Sequence, residues 1–514
     1  MLILLIPLLL ASFTHLWNPI GFPWIHEDEG HYMRRAVHTL QGLGPQETIS
    51  DFDHPFDHPY FGQLFLSSIL NIIGYPDTLK SQSPLNDGQS IGMFYFAPRL
   101  LIGVLAIVDT FLIYKIAERR YNVCVGLIAS TLFAVMPLTL LLRGIFLDNI
   151  SLPLLLLSIL FAVYSNNNKQ LRDPNRKVLL VVLSGIFLGL SIFTKSPAFT
   201  LIPLIGYVIY TSNNKSRGSF ALWLIPVVMI PAVWPIFNVL SGQFNEWLEG
   251  VVWQVAQRPE KSLTNAIVDI TQIDPTFTVL ALAGLAYATF VEVQSKKFFI
   301  TLWIIPYMIF LYLIGWVSYF HWIILLPAFS ISGAAMMNDL IRRISRSSES
   351  MRILSNTIII SAIGIIGLMF STMLITMNVT SSYFDLYSLV VRYLSDNSPD
   401  GKTIVGHRWT WAFTWIPRYA FDETIYFEHF NSTDQIKTKK FLLLVDNYVK
   451  RHLSDNGIDS NTPNLAQILY NNSHSIKRIE DKSVFHDKHA YPYTFMSQNR
   501  GIGRYSPVEI RANY

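Results

Sequence analysis

Two adjacent carboxylates, Asp28 and Glu29, lie at the start of a helical pattern near the amino-terminal end of the chain. The residues after them form one apolar and one polar helical face: Tyr32, Met33, Ala36, Val37 and Leu40 against Arg34, Arg35, His38 and Gln41. This pattern predicts a short amphipathic helix that lies along a membrane surface. Asp28 then either caps the amino terminus of the helix or acts as a general base at the membrane–water boundary.

A second group of polar residues follows at 51–60, where two Asp-His-Pro units, Asp53-His54-Pro55 and Asp57-His58-Pro59, are spaced four residues apart. Histidine and carboxylate side chains are common metal ligands, so a divalent metal is one interpretation. Proline after each histidine disfavours a helix, so the spacing does not bring the ligands onto one helical face. We favour a polar loop that positions substrate, with a divalent metal as the alternative, and we predict no other cofactor.

Five ionisable residues lie beside apolar runs rather than in polar loops: Arg99, Arg143, Asp148, Lys195 and His321. Ionisable groups at membrane depth are costly, which makes them candidates for function. The alternative for each one taken singly is a side chain that extends to the membrane surface, or an Arg143–Asp148 ion pair that joins two helix ends.

The composition of the chain indicates what kind of protein holds these residues. Of its 514 residues, 51% are hydrophobic and only 14% are charged, whereas charged residues make up about a quarter of a soluble domain. This excludes a cytosolic enzyme and a disordered chain. The net charge of +4 gives no indication of nucleic acid, and none is expected as a partner. The single cysteine, Cys124, rules out an internal disulfide and suits a bacterial or archaeal membrane.

Apolar runs of about 20 residues can cross a bilayer as helices. We predict about eleven such spans, at residues 1–17, 93–117, 123–142, 147–165, 178–194, 197–211, 220–241, 276–293, 298–315, 319–339 and 353–377. Alternate loops carry the basic clusters: Lys115, Arg119 and Arg120; Lys169, Arg172, Arg176 and Lys177; Lys215 and Arg217; Lys296 and Lys297; Arg342, Arg343 and Arg346. The positive-inside rule assigns those loops to the cytoplasm. The five ionisable residues beside the spans then share the outer rim, where their cations suit a lipid-linked phosphate.

This topology predicts two domains in the plasma (cytoplasmic) membrane of an archaeon or bacterium. Residues 1–377 form the membrane domain, with the long outer loop 18–92, and residues 378–514 form a tail on the outer face. Short β-like runs at 403–406, 424–428, 441–445 and 491–495 alternate with helix-compatible stretches in the tail. The predicted fold class is therefore mainly α: a polytopic protein of about 11 transmembrane helices, with interfacial helices in the first outer loop and a small C-terminal α/β domain.

The order and sidedness of several motifs resemble the GT-C membrane glycosyltransferases, in particular the protein-mannosyltransferase and aminoarabinose-transferase group. The matching pieces are Asp28-Glu29-x-x-Tyr32, His58-Pro59, Arg143 with Asp148, Gly189-Leu190-x-x-x-Thr194-Lys195 and His321-Trp322-x-x-x-Leu326-Pro327. Two positions depart from the family pattern. Tyr60 occupies a position where the family often has a second proline, and His321 one where it often has Arg or Lys.

The resemblance implies an enzyme that transfers a sugar, with inversion, from a polyprenyl (dolichyl or undecaprenyl) phosphate to a lipid, glycan or protein acceptor. It implies that Asp28 is the base, that Lys195 and Arg143 neutralise the leaving phosphate, and that Asp148 orients Arg143 or the acceptor. His58 and Tyr32 would support the site, and Arg99 and His321 are further candidates for the donor phosphate. Glu29 is a second carboxylate that points to a different partner, because neighbouring side chains on a helix diverge by about 100°.

Two alternatives from other classes remain open at this point. One is a transporter or flippase of lipid-linked glycans, although transporters usually place charges near the bilayer midplane and contain internal repeats. The other is a non-catalytic relative that presents a glycan, which the presence of Asp28, Arg143 and Lys195 disfavours.

Overall fold

The computed structural model describes most of the chain before residue 346 and parts of the tail. The described residues are 2–21, 23, 27–46, 56–75, 88–165, 174–212, 217–257, 262–345, 364, 366, 367, 390, 393, 394, 403–406, 424–426, 440–445, 465–479 and 508–514. The chain divides into two compact units. Unit 1 comprises Met1–Trp17, Pro45–Phe65 and Leu100–Thr376, and unit 2 comprises Asn18–Gly44, Leu66–Arg99 and Met377–Tyr514.

Helices dominate the first 345 residues. They are α1 Leu5–Leu16, α2 Glu27–Leu40, α3 Phe61–Ile72, α4 Gly88–Arg120, α5 Val123–Val135, α6 Pro137–Leu141, α7 Leu147–Ser165, α8 Pro174–Thr194, α9 Ile202–Ser212, α10 Arg217–Leu240, α11 Phe244–Val252, α12 Leu263–Ile273, α13 Pro275–Phe290, α14 Gln294–Ile314 and α15 Leu326–Ser345. Short 3-10 helices at Ser196–Leu201 and Tyr319–Leu325 precede α9 and α15. A π-helical turn, Trp253–Gln257, follows α11.

Six described helices are long and apolar enough to cross a membrane: Met93–Arg120, Leu147–Ser165, Asn175–Thr194, Arg217–Leu240, Lys296–Ile314 and Phe320–Arg343. A bent pair, Leu263–Thr271 with Pro275–Phe290, would make a seventh, and four shorter apolar helices accompany them. The predicted membrane class is confirmed, while the predicted count of eleven is not. The last predicted span, 353–377, lies outside the described residues except at 364, 366 and 367.

One predicted span, 123–142, differs from the structure for a clear local reason. Pro137 lacks the backbone N–H that would continue α5, and Met136 adopts an extended conformation with φ −69° and ψ 124°. The apolar run is therefore divided into α5 and the short α6. Hydropathy alone does not detect such a break, because every residue in the run is compatible with lipid.

Close packing of α7, α8 and α10 fixes the ends of these helices in unit 1. The hydroxyl oxygens of Ser151 and Ser191 lie 2.7 Å apart, and Ser158 donates to the carbonyl oxygen of Ser184 at 2.7 Å. A Cβ atom at Gly189 would lie 2.5 Å from the carbonyl oxygen of Pro226 in α10, so only glycine fits there. Small residues that allow helices to approach are typical of membrane bundles. They explain the glycine of the Gly189-Leu190 motif.

The described part of the tail contains a small sheet with strands β1 Thr403–Gly406, β2 Thr424–Tyr426, β3 Phe441–Val445, β4 His474–Ile479 and β5 Val508–Ala512, and the helix α16 Leu465–Asn471. The strand order is β2-β1-β3-β5-β4. Strand β1 runs parallel to β2 and β3, while β5 is antiparallel to β3 and β4. The predicted small C-terminal α/β region is confirmed, and the predicted run 491–495 lies outside the described residues.

Candidate active site

The acidic motif lies in the first turns of α2, within unit 2. Asp28 is half-buried, whereas Glu29 is fully buried and bound by Arg99 through two hydrogen bonds. Arg99 donates from Nε to Oε2 at 2.8 Å and from Nη2 to Oε1 at 2.6 Å. Its Nη1 also donates to the carbonyl oxygens of Pro19, at 3.0 Å, and Pro23, at 2.7 Å. Arg99 therefore ties α2 to the segment before it, and the two neighbouring carboxylates have different surroundings.

Helix α2 forms at the predicted position, but its polar face differs from the prediction. Arg34 and Arg35 were expected on a solvated face, yet they are buried, with exposed fractions of 1% and 0%. His31 is also buried, and its Nδ1 lies 3.3 Å from Nη2 of Arg34. Residue spacing defines which side chains share a helical face but not what covers that face. Here both faces of the helix are covered.

A buried ion pair joins two helix ends in unit 1. Asp148 occupies the first turn of α7, and Lys195 directly follows α8. Lys195 Nζ lies 3.7 Å from Asp148 Oδ2, and the two side chains are 7% and 1% exposed. The amino terminus of α7 favours the ionised carboxylate. A separation of 3.7 Å is an ion pair without a direct hydrogen bond between these two atoms.

The turn between α6 and α7 carries Arg143, which is also buried. Arg143 Nη1 donates to the carbonyl oxygen of Thr14 in α1 at 2.8 Å. Asn149 closes the turn, since its Nδ2 donates to the carbonyl oxygens of Leu142, at 2.6 Å, and Gly144, at 2.8 Å. Asp148 therefore pairs with Lys195, and Arg143 links the turn to α1. The Arg143–Asp148 pair that the sequence offered as an alternative stays a prediction.

His321 caps the 3-10 turn that precedes α15. The backbone N–H of Ser318 donates to His321 Nδ1 at 2.9 Å, and the Tyr307 hydroxyl donates to the carbonyl oxygen of His321 at 2.7 Å. A ring nitrogen that accepts a hydrogen bond carries no proton, so the neutral ring holds its proton on Nε2. His321 therefore presents an N–H donor without the permanent charge of the Arg or Lys that the family often has at this position.

His58 lies in the described part of the Asp-His-Pro segment. Its Nε2 is 3.8 Å from Asp57 Oδ2, and both side chains are 13% exposed. The next aromatic residue, Tyr60, donates to Asn238 Oδ1 at 2.9 Å and packs with Phe56, Phe193 and Trp234. Among the described residues, no group of three or more His, Cys, Asp or Glu side chains is placed to hold a metal ion. The first unit of the motif, residues 51–55, lies outside them.

The predicted site residues form two sets. Glu29 and Arg99 contact each other in unit 2, to which Asp28 and Tyr32 also belong. Asp148 and Lys195 contact each other in unit 1, which also holds Arg143, His58 and His321. Sequence reasoning missed Thr14 and His15 in α1. The signal was present, because His15 is an ionisable residue inside an apolar run.

The sequence family of dolichyl-phosphate-mannose-protein mannosyltransferases matches residues 50–237. The apo oligosaccharyltransferase from Archaeoglobus fulgidus is structurally similar, with a TM-score of 0.58, 12% identity and coverage of 88% of this chain and 69% of that chain. ArnT from Cupriavidus metallidurans, solved with undecaprenyl phosphate, gives a TM-score of 0.55 and 12% identity over 100% of this chain and 97% of that one. The chain has the GT-C fold.

The GT-C fold and the apolar helices make the chain a multi-pass membrane protein. The Archaeoglobus fulgidus oligosaccharyltransferase solved with a tethered acceptor peptide is also similar, with a TM-score of 0.54 and 10% identity. The present chain covers 63% of the length of that protein. No curated protein shows significant sequence similarity to the chain. The resemblance that the motifs carried is thus confirmed for the fold, and the sequence match covers the segment from the Asp-His-Pro region through α8 into α10.

Proposed function

We propose that this protein is a glycosyltransferase that transfers a sugar from a polyprenyl phosphate to a lipid, glycan or protein acceptor on the outer face of the plasma membrane. The observation that carries the proposal is the buried Lys195–Asp148 pair, beside the turn that holds Arg143, in an apolar helix bundle. Ionisable side chains buried in such a bundle are costly and mark a binding site for a charged ligand. A lipid-linked phosphate supplies one from within the membrane, with its chain in the bilayer.

The reaction is a displacement at C1 of the donor sugar. The acceptor oxygen or nitrogen forms a bond to C1 while the bond between C1 and the phosphate oxygen breaks, and the configuration inverts. The electron pair of the broken bond leaves with polyprenyl phosphate. Asp28 takes the acceptor proton, and Lys195 and Arg143 stabilise the negative charge that grows on the phosphate. His321, a neutral N–H donor, would add to the same stabilisation.

The geometry refines the roles of the residues around Asp28. Glu29 engages Arg99 through two charge-assisted hydrogen bonds, which are among the strongest in proteins. We therefore assign Glu29 and Arg99 to positioning α2, rather than to proton transfer or donor binding. Asp28 is left as the half-buried carboxylate of the motif. Tyr32 and His58 retain supporting roles, and the loop 51–60 is proposed to position substrate.

The comparisons support the class of donor. ArnT from Cupriavidus metallidurans was solved with undecaprenyl phosphate, and the oligosaccharyltransferase AglB from Archaeoglobus fulgidus with dolichol-phosphate and an inhibitory peptide. A lipid phosphate as leaving group fits both the fold and the buried cations of this chain. The sugar and the acceptor are open to experiment.

The test uses the full chain in nanodiscs, with radiolabelled dolichyl- and undecaprenyl-phosphate sugars and a cell-envelope fraction as acceptor. Asp28→Asn is compared with Glu27→Gln, which removes a carboxylate from the same helical turn. Loss of a general base lowers turnover by about 10²–10⁴-fold, so Asp28→Asn should lose transfer while Glu27→Gln retains it. Undiminished transfer by a folded Asp28→Asn protein would overturn the assignment of Asp28. Movement of intact donor across the membrane without transfer would instead favour a flippase.

A further inference from the structure

His15 is a buried polar residue for which the proposed reaction has no role so far. It lies in the last turn of α1, whose sequence Leu5–Leu16 is otherwise almost entirely apolar. The imidazole is 1% exposed, and neither ring nitrogen has a hydrogen-bond partner within the described part of the chain. Buried polar groups in native proteins nearly always have partners, so an exception requires an explanation.

The backbone around His15 is held rigidly in unit 1. The carbonyl oxygen of Thr14 accepts the hydrogen bond from Arg143 Nη1, and the Thr14 hydroxyl donates to the carbonyl oxygen of Ala134 in α5 at 2.9 Å. On another side, a Cβ atom at Gly103 of α4 would lie 2.5 Å from the carbonyl oxygen of His15. Contacts with three elements therefore fix the turn that carries the imidazole.

A cation lies next to the turn that carries His15. Arg143 Nη1 binds the carbonyl oxygen of Thr14, the residue that precedes His15 in the chain. The turn that begins with Arg143 leads to Asp148, which pairs with Lys195. An imidazole has an N–H donor in both of its protonation states. An anionic oxygen bound to the guanidinium would also satisfy this N–H.

We propose that His15 contacts the donor phosphate: its N–H donates a hydrogen bond to a phosphate oxygen of the polyprenyl-phosphate sugar, beside Arg143. This inference rests on the proposed function and adds to it a phosphate contact from α1. No covalent bond to His15 is made. The phosphate gains negative charge when the bond to C1 breaks, so the hydrogen bond is stronger to the leaving polyprenyl phosphate than to the donor.

The experiment measures binding of undecaprenyl monophosphate and dolichyl monophosphate to the full chain in nanodiscs. His15→Phe fills the same apolar space without an N–H, His15→Gln retains an N–H donor, and Ser12→Ala is the control. Ser12 is suitable because its hydroxyl donates within α1, to the carbonyl oxygen of Leu8. Loss of a hydrogen bond to a charged group weakens binding by about 10- to 100-fold. We expect that loss in His15→Phe, partial recovery in His15→Gln and wild-type affinity in Ser12→Ala.

A purely structural role for His15 would give a different result. The ³¹P resonance of the bound monophosphate should shift between the wild type and His15→Phe, since a hydrogen bond to the phosphate is removed. Equal affinity and an unchanged resonance in His15→Phe would overturn the proposal. So would equal weakening in His15→Phe and His15→Gln. If the wild type bound neither lipid phosphate and transferred no sugar, the proposed function itself would fail, which is a distinguishable outcome.

Discussion

Ion pairs at the two ends of the helices in unit 1 differ in burial and in the distance between their charged atoms. At the end predicted to face the cytoplasm, Lys115–Glu118 and Arg343–Asp339 are each formed within one helix, at 2.9 and 2.7 Å. Their side chains are 29% to 65% exposed. At the other end, Lys195–Asp148 joins α7 to the end of α8 at 3.7 Å and is almost fully buried. The shorter pairs are therefore the exposed ones.

The difference indicates which charges serve binding. Exposed pairs within a helix contribute about 0–1 kcal/mol, because water and salt screen them. A buried pair loses hydration that its mutual attraction does not always offset. Lys195 and Asp148 are thus a poor means of stabilising the bundle, and the 3.7 Å between Lys195 Nζ and Asp148 Oδ2 is not a direct hydrogen bond. Both facts agree with the proposal that Lys195 binds the phosphate of the sugar donor.

The largest expected effect is on the rate of sugar transfer and comes from removing the buried charge of Lys195. Lys195→Met should lower sugar transfer by about 10²–10³-fold, the usual result of removing one group that stabilises transition-state charge. Lys115→Met removes an equivalent charge from the other end and should leave transfer unchanged. Initial rates with labelled donor measure both variants. Equal losses in the two variants would show that overall charge, rather than the buried site, controls the reaction.

A smaller effect is expected on the free energy of unfolding. The comparison is between the buried pair Glu29–Arg99 and the exposed pair Asp339–Arg343. Arg99→Met leaves Glu29 buried without its cation and should lower the free energy of unfolding by about 3–5 kcal/mol. Arg343→Met should cost at most about 1 kcal/mol. Denaturant unfolding in mixed micelles compares them. If the two variants were equally stable, the buried pair could not be what holds α2 in place.

The smallest expected effect is on the pH dependence of stability and concerns Glu292. This residue lies between α13 and α14, and its side chain is partly buried. Burial raises the pKa of Glu292, and the charge of Lys296 and a hydrogen bond with Tyr287 oppose this. A raised folded-state pKa means that the folded protein binds more protons, so stability is lost as the pH rises above 4.5 through the folded pKa.

Glu292→Gln removes this titration and should flatten the pH dependence of the unfolding temperature above pH 4.5. The control is Glu118→Gln, whose carboxylate pairs with Lys115 on the surface of one helix. A steeper fall in stability with rising pH for Glu292→Gln than for the wild type would contradict the assigned direction.

Sequence alone predicted the features that follow from hydropathy and order. The amphipathic pattern predicted helix α2, and hydropathy predicted the long apolar helices. Spans that alternate in direction placed Asp148 and Lys195 at the same end of the bundle. The partners of Arg143, Arg34 and Arg35 were not predictable, because they depend on which distant element covers a helix. Strand β4 was missed because its residues are largely polar and exposed, so it lacks the alternation that marks a half-buried strand.

The central claim is that the buried cations of unit 1 bind the phosphate of the sugar donor. A cryo-EM structure of the Asp28→Asn protein in nanodiscs with undecaprenyl-phosphate sugar tests it most directly. The account predicts a phosphate oxygen at hydrogen-bond distance, about 2.7–3.2 Å, from Lys195 Nζ or from a guanidinium nitrogen of Arg143. A donor phosphate bound elsewhere, with the Lys195–Asp148 pair unchanged, would contradict it.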